Sequence, residues 1–226
     1  MFEISRQFNE TSPDAHIGLL VMRNVENVPS HPALEENKRG VESALRDRFA
    51  GMEPGNLDSV HPMSVYAAYY KRFDKTYHVT GQLKSIVFKD KSIPSVASLV
   101  EAMFIAELKN GLLTAGHDFD LIQAPITINV AAGNELYCLM RGTEQALKPN
   151  DMYIADAKGI VSSIIYGPDQ RTQISSSTKN VLFTVYAPGR VFPDEVELHL
   201  REICDLVTLV SPQATVELLQ VVGGKA

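Results

Sequence analysis

The sequence predicts an α+β fold, with a mixed or antiparallel sheet, helices packed on it and a helical C-terminus. Two observations carry this. Apolar residues recur at helical spacing between Pro32 and Asn110 and again after Pro193. Between Pro125 and Tyr186 they alternate with polar ones in short runs parted by turn residues. Helical and extended patterns thus occupy separate stretches and do not alternate as βαβ units would. No Gly-, Ser- or Pro-rich linker interrupts the chain, so residues 1–226 read as one compact domain.

In chain order, Ile17 to Met22 is a short apolar run that predicts a buried strand. After His31-Pro32 a helix places Leu34, Val41, Leu45 and Phe49 on one face, with Lys38, Arg39, Arg46 and Arg48 largely off it. Pro32 suits the first turn, where its missing N–H costs nothing. Met52 to Asp58 reads as a loop. A second helix runs from Pro62 to about Phe73, burying Val65, Tyr66, Tyr69 and Tyr70, and its basic end complements the helix dipole. A polar stretch follows, up to Ser92. A third helix then presents Leu99, Met103 and Phe104 and stops at Asn110-Gly111. Strands are predicted around Ile126–Val130 and over Glu135–Arg141, Met152–Asp156, Gly159–Tyr166 and Asn180–Tyr186. The last helix, over about 193–210, buries Val196, Leu200, Ile203, Val207 and Val210, with Asp194 and Glu195 in its first turn.

Composition excludes several classes. Hydrophobic residues at 45% and charged residues at 21% are those of a globular chain and not of a disordered one. Apolar runs fall short of the ~20 residues a membrane span needs, and Met1–Arg6 has no secretory pattern, so a cytoplasmic location without membrane contact is expected. The net charge of -6 argues against strong non-specific nucleic-acid binding, though a local basic patch acts through its own field. Cys138 and Cys204 form no pair with redox or zinc spacing and read as inert core thiols. No phosphate loop, metal-ligand spacing or nucleophile elbow is present, so neither metal nor cofactor is expected.

Candidate chemistry collects in three places. His117 stands in Gly116-His117-Asp118-Phe119-Asp120, in the predicted connection between the third helix and the sheet. Either aspartate there could fix the imidazole tautomer for a working histidine, or both could cap a local turn. The loop Gln170–Lys179 offers hydroxyls and Arg171 to a phosphate or sugar, or is a solvated hairpin loop. His78, with Lys75, Tyr77 and Lys84 nearby, is a candidate anion ligand. His16, His31, His61 and His199 read as surface or structural.

Four short segments then match a known family in order. His117-Asp118-Phe119-Asp120 resembles its H-A-F-D segment, and Met140-Arg141-Gly142-Thr143-Glu144 its L-D-G-T-E turn. Tyr153-Ile154-Ala155-Asp156 is similar to V-I-A-D, and Thr178-Lys179-Asn180-Val181-Leu182 to T-Q-N-V-L. Looser matches lie at Tyr70–Phe73 and in the helix after Ser95. The family is the B3/B4 domain of the bacterial phenylalanyl-tRNA synthetase β-subunit and its free-standing relatives, and the resemblance is clearest over 92–188. It implies an α+β fold with a site between its halves, where the synthetase hydrolyses tyrosine wrongly esterified to the phenylalanine tRNA. His117 falls at the family's pocket histidine and is the expected catalytic residue. Asp118, Asp120, Thr178, Asn180 and Thr184 are the expected substrate-binding residues. Thr184 stands where the family has a glutamate for the tyrosine hydroxyl, and a helix replaces the segment after Pro188-Gly189-Arg190 that completes the synthetase pocket. The resemblance implies a tRNA or aminoacyl-tRNA 3′ end as partner and deacylation of mischarged tRNA in trans. A non-catalytic RNA- or protein-binding module, or a pocket for a small amino-acid-like ligand, are the alternatives.

Overall fold

The computed structural model describes residues 2–224. Helices dominate the first half: β1 (Phe2–Ile4), α1 (Arg6–Thr11), β2 (His16–Arg23), α2 (Pro32–Arg48), α3 (Met63–Lys71), α4 (His78–Lys89) and α5 (Ser98–Asn110). Strands follow: β3 (Leu113–Asp118), β4 (Ile126–Val130), β5 (Leu136–Cys138), β6 (Glu144–Ala146), β7 (Met152–Asp156), β8 (Gly159–Ser163), β9 (Gly167–Pro168) and β10 (Val181–Ala187). Then come α6 (Pro193–Val210) and β11 (Thr215–Gly223). The α+β expectation is met, with mixed and antiparallel pairing.

Two sheets form the frame. One has the order β11-β2-β10-β3 and is antiparallel throughout. The other has the order β1-β4-β7-β8-β9, in which only β1 and β4 run parallel. β5 and β6 form a separate hairpin. The first sheet is covered by α6, which approaches so closely that a Cβ on Gly18 of β2 would lie 2.6 Å from Val196. On the other side it meets the second sheet, where the buried Tyr186 hydroxyl lies 2.7 Å from Ser162 Oγ on β8. One apolar core joins α1 to α6 and both sheets, and a smaller one holds Tyr137, Leu139, Leu147 and Tyr153.

Several elements differ from the sequence expectations. The polar stretch before Ser92 contains α4, whose Val79, Leu83 and Ile86 face inward at helical spacing while lysines and an amide cover the outside. The connection around His117 is a strand. All six β3 residues are buried, so no polar-apolar alternation marks it. β11 pairs with β2 at the sheet edge, and its half-exposed residues carry little pattern. Met52–Asp58 tightens into a 3-10 turn at Pro54–Ser59. Lys38 is 2% exposed rather than off the apolar face. Its ammonium lies 2.9 Å from Glu101 of α5 and 2.6 Å from Glu35, so a buried ion pair ties α2 to α5. Cys138 is exposed, not a core thiol, because the β5–β6 hairpin turns it outward; Cys204 is half-buried.

Candidate functional site

Between α3, α4, α5 and β3 on one side and the β8–β9 corner on the other lies a cavity of about 380 Å3. Its walls are mostly apolar: Val100, Met103 and Phe104 from α5, Ile165 and Tyr166 from the corner, and Ile174 from the loop before β10. The spacing of Val100, Met103, Phe104 and Glu107 puts all four on one face of α5. Three line an ordinary apolar pocket, and the fourth is a carboxylic acid.

Glu107 is 2% exposed and its Oε1 accepts the Thr114 N–H at 2.7 Å. No cation pairs with it among the described residues, and burial pushes its pKa up to about 8. At neutral pH it is therefore mainly a neutral acid. Tyrosines form the scaffold around it. Tyr66 donates to Tyr186 O, Tyr70 to Ile164 O at 2.7 Å and Tyr77 to Gly111 O at 3.1 Å. Each buried hydroxyl is satisfied, as burial demands.

The rim is polar, and Lys75 brings positive charge to it. His78 opens α4 there, and Lys75 Nζ lies 5.9 Å from the Tyr166 ring centroid. Of the basic residues in the first half, Arg46 pairs with Glu42 and Asp90, and Lys84 with Asp58. Lys71, Arg72, Lys75 and Lys89 have no carboxylate partner among the described residues.

The six residues singled out by sequence do not line this cavity. His117 is on β3, fully buried between the sheets. Its Nδ1 lies 2.8 Å from Thr172 Oγ1, and Thr172 Oγ1 donates to Asp169 Oδ1. The single hydroxyl proton of Thr172 is thus spent on Asp169, so Nδ1–H of His117 donates to Thr172 and Nε2 is left bare. Nε2 has no partner among the described residues. Burial, helped by the nearby Arg171, pushes the imidazole pKa down to about 3. The general-base role expected from sequence finds no support in this placement.

The other expected residues form two further ties. Thr178 donates to Asp118 Oδ2 at 2.7 Å, and Asn180 donates to both Asp120 oxygens at 2.8 and 2.9 Å. Arg171 grips Asp156 with two bonds of 2.9 Å each, which leaves it committed to that carboxylate. Together these ties pin the Gln170–Lys179 loop to the sheets. The loop's Ile174 then fills the space beside Gly116, where an added Cβ would lie 2.7 Å from Ile174 Cδ1. Thr184 is buried in β10 and bonds weakly to Ala115 O at 3.4 Å. Five of the six residues therefore build a wall of the cavity from behind.

Sequence reasoning missed Glu107. Its signal was present: an acidic residue on the apolar stripe of the third helix, four positions after Met103. The rim lysine Lys75 was noted, but its partner Tyr166 is brought to it by the fold alone.

Comparison with known proteins supplies the lineage. The B3/4 domain profile matches residues 63–203, from the start of α3 into α6. Among solved structures, an N-terminal fragment of the phenylalanyl-tRNA synthetase beta-subunit from Pyrococcus horikoshii is similar at 12% identity and a TM-score of 0.48. The similarity covers 96% of this chain and 50% of that one, so the chain spans about half the length of that fragment. No curated protein sequence matches. The profile match takes in well over half of the chain, including α5, β3, the β8–β9 corner and the loop that wall the cavity: the chain belongs to the B3/4 domain family.

Proposed function

We propose that this chain is a tRNA-associated B3/4 protein whose cavity receives the aminoacyl group at a tRNA 3′ end and promotes hydrolysis of its ester. The observation that carries this reading is the pairing of an apolar cavity with a basic rim. A space of about 380 Å3 suits an amino-acid side chain, and Lys75, whose ammonium lies over the Tyr166 ring of the wall, favours an anionic body outside. An aminoacyl ester is already activated, so a held water and donors for the developing oxyanion suffice for hydrolysis. In this reading His117 is a positioning residue. Through Thr172 it holds the loop that carries Ile174, and the wall in turn fixes the substrate.

The test is deacylation and filter binding with a panel of correctly and wrongly charged tRNAs. Charged tRNA is expected to bind more tightly than uncharged tRNA, and one mischarged species to be hydrolysed. His117→Ala and Thr172→Val are expected to raise KM alike, because both release the same loop. If His117→Ala alone removes ~10²-fold of kcat while Thr172→Val keeps it, His117 is the base and the positioning role fails. Absence of binding to every tRNA sinks the RNA reading. The second reading, a pocket for a small amino-acid-like ligand without RNA, then takes its place; the net charge of -6 favours it.

A further inference from the structure

The cavity has an inner end as well as a rim, and Glu107 is the chemistry found there. The geometry points to Glu107 as a hydrogen-bond donor that selects what may be buried: an apolar body ending in a hydrogen-bond acceptor, in preference to a cation or a plain hydrocarbon of the same shape. The inference rests on the proposed function only in taking this cavity as the ligand site.

The argument follows the protons. A carboxylic acid largely withdrawn from water with no cation beside it keeps its proton. Oε1 already accepts the Thr114 N–H at 2.7 Å, so the proton belongs on Oε2. Oε2 has no partner among the described residues. The neighbouring groups offer it none. From α3, Tyr66 and Tyr70 give their protons to Tyr186 O and Ile164 O; from the start of α4, Tyr77 gives its proton to Gly111 O. His78 stands at the rim, and Tyr186 of β10 is engaged with Ser162. His199 of α6 is 2.7 Å from Thr114 Oγ1, so it too is occupied. Oε2 is open to the cavity, so a ligand that fills it displaces the water this donor can reach, and only a ligand acceptor replaces that bond. A hydrocarbon would leave it unmade. A cation would have to pass Lys75 and displace the proton. Burial holding this acid near pKa 8 agrees with the assignment.

Three probes of nearly one shape separate the possibilities: acetophenone, which only accepts; cumene, which does neither; and 1-phenylethylamine, which is cationic at neutral pH. Their binding to the intact protein is measured by NMR titration at pH 6.5. Acetophenone is expected to bind about tenfold more tightly than cumene, the worth of one buried hydrogen bond, and the amine most weakly. Glu107→Gln, whose amide still donates, keeps this order. Glu107→Leu, with folding verified by its amide spectrum, reverses acetophenone and cumene. Preference for the amine at pH 6.5, equal affinity for acetophenone and cumene, or no change of order in Glu107→Leu each overturns the proposal. Should Glu107→Leu not fold, the order in the wild type and Glu107→Gln decides alone. Failure of all three probes to bind overturns it as well. The probes carry no ester or RNA, so this result stands apart from the deacylation panel.

Discussion

At the scale of single residues, buried ionisable groups set how stability depends on pH. His117 and His199 are fully buried and held down to about 3, far below the ordinary histidine value of 6.5. Each contributes stability that is complete above pH 6.5 and is lost as pH falls toward 3. Glu107 and Asp151 act in the opposite sense. Burial raises them to about 8 and about 7, so their contribution is complete below pH 4 and is lost as pH rises through 7 to 8. Stability is therefore expected to fall on both sides of a maximum near pH 5–6.5. Glu107→Gln should remove much of the alkaline loss and be more stable than wild type at pH 8.5, by on the order of 1–3 kcal/mol. Denaturant titrations at pH 5, 7 and 8.5 measure this; an unchanged difference between the two proteins across that range would refute the raised acid.

Residue identity was also where sequence reasoning reached furthest and then stopped. His117, Asp118, Asp120, Thr178 and Asn180 were read as a set, and the structure brings them together along one loop. Their direction was not legible. A side chain in a strand faces one of two sides, and β3 showed no alternation to say which, because both of its sides are buried. Glu107 was hidden for the complementary reason. Its stripe was read for its apolar members, and a carboxyl among them gains meaning only when an empty space is found beside it.

Among the elements, α6 and β2 form the tightest junction. Gly18 is the only residue type that admits Val196 at this distance, since a Cβ there would stand 2.6 Å from it and 3.1 Å from Leu200. Gly18→Ala should cost about 1–3 kcal/mol through overpacking, read as a lower denaturant midpoint with an unchanged slope. α6, whose wide apolar stripe imposes a strict period, and α2, opened by Pro32, were legible almost to their ends. α4 was not, because Val79, Leu83 and Ile86 among lysines, hydroxyls and an amide make too narrow a stripe. β1 and β11 owe their form to partners distant in sequence. β1 lies parallel to β4 and β11 runs along β2, contacts that no local pattern announces.

For the whole molecule, the balance of charge limits how RNA could be held. With a net charge of -6, attraction to phosphates must come from basic groups without a carboxylate partner among the described residues, such as Lys71 and Lys75. The salt dependence of any tRNA binding should accordingly be shallow, about -0.7 in log K against log salt for each single-stranded phosphate contact. The double variant Lys71→Ala, Lys75→Ala should flatten that slope by one to two such contacts in filter binding between 50 and 200 mM salt. A slope that survives the double variant would place the phosphates elsewhere. One apolar core joins the helices to both sheets.

The loop before β10 has a consequence for how this cavity could be retuned. Its two ends are fastened by Thr172, Thr178 and Asn180, none of which lines the cavity, while Ile174 alone of the loop lines it. Fastening and shape are thus assigned to different residues. Exchanging Ile174 for valine, leucine or phenylalanine would resize the chamber as one changes a bit in a fixed chuck, with the frame untouched. Variation at that single position is a short route from one ligand to another.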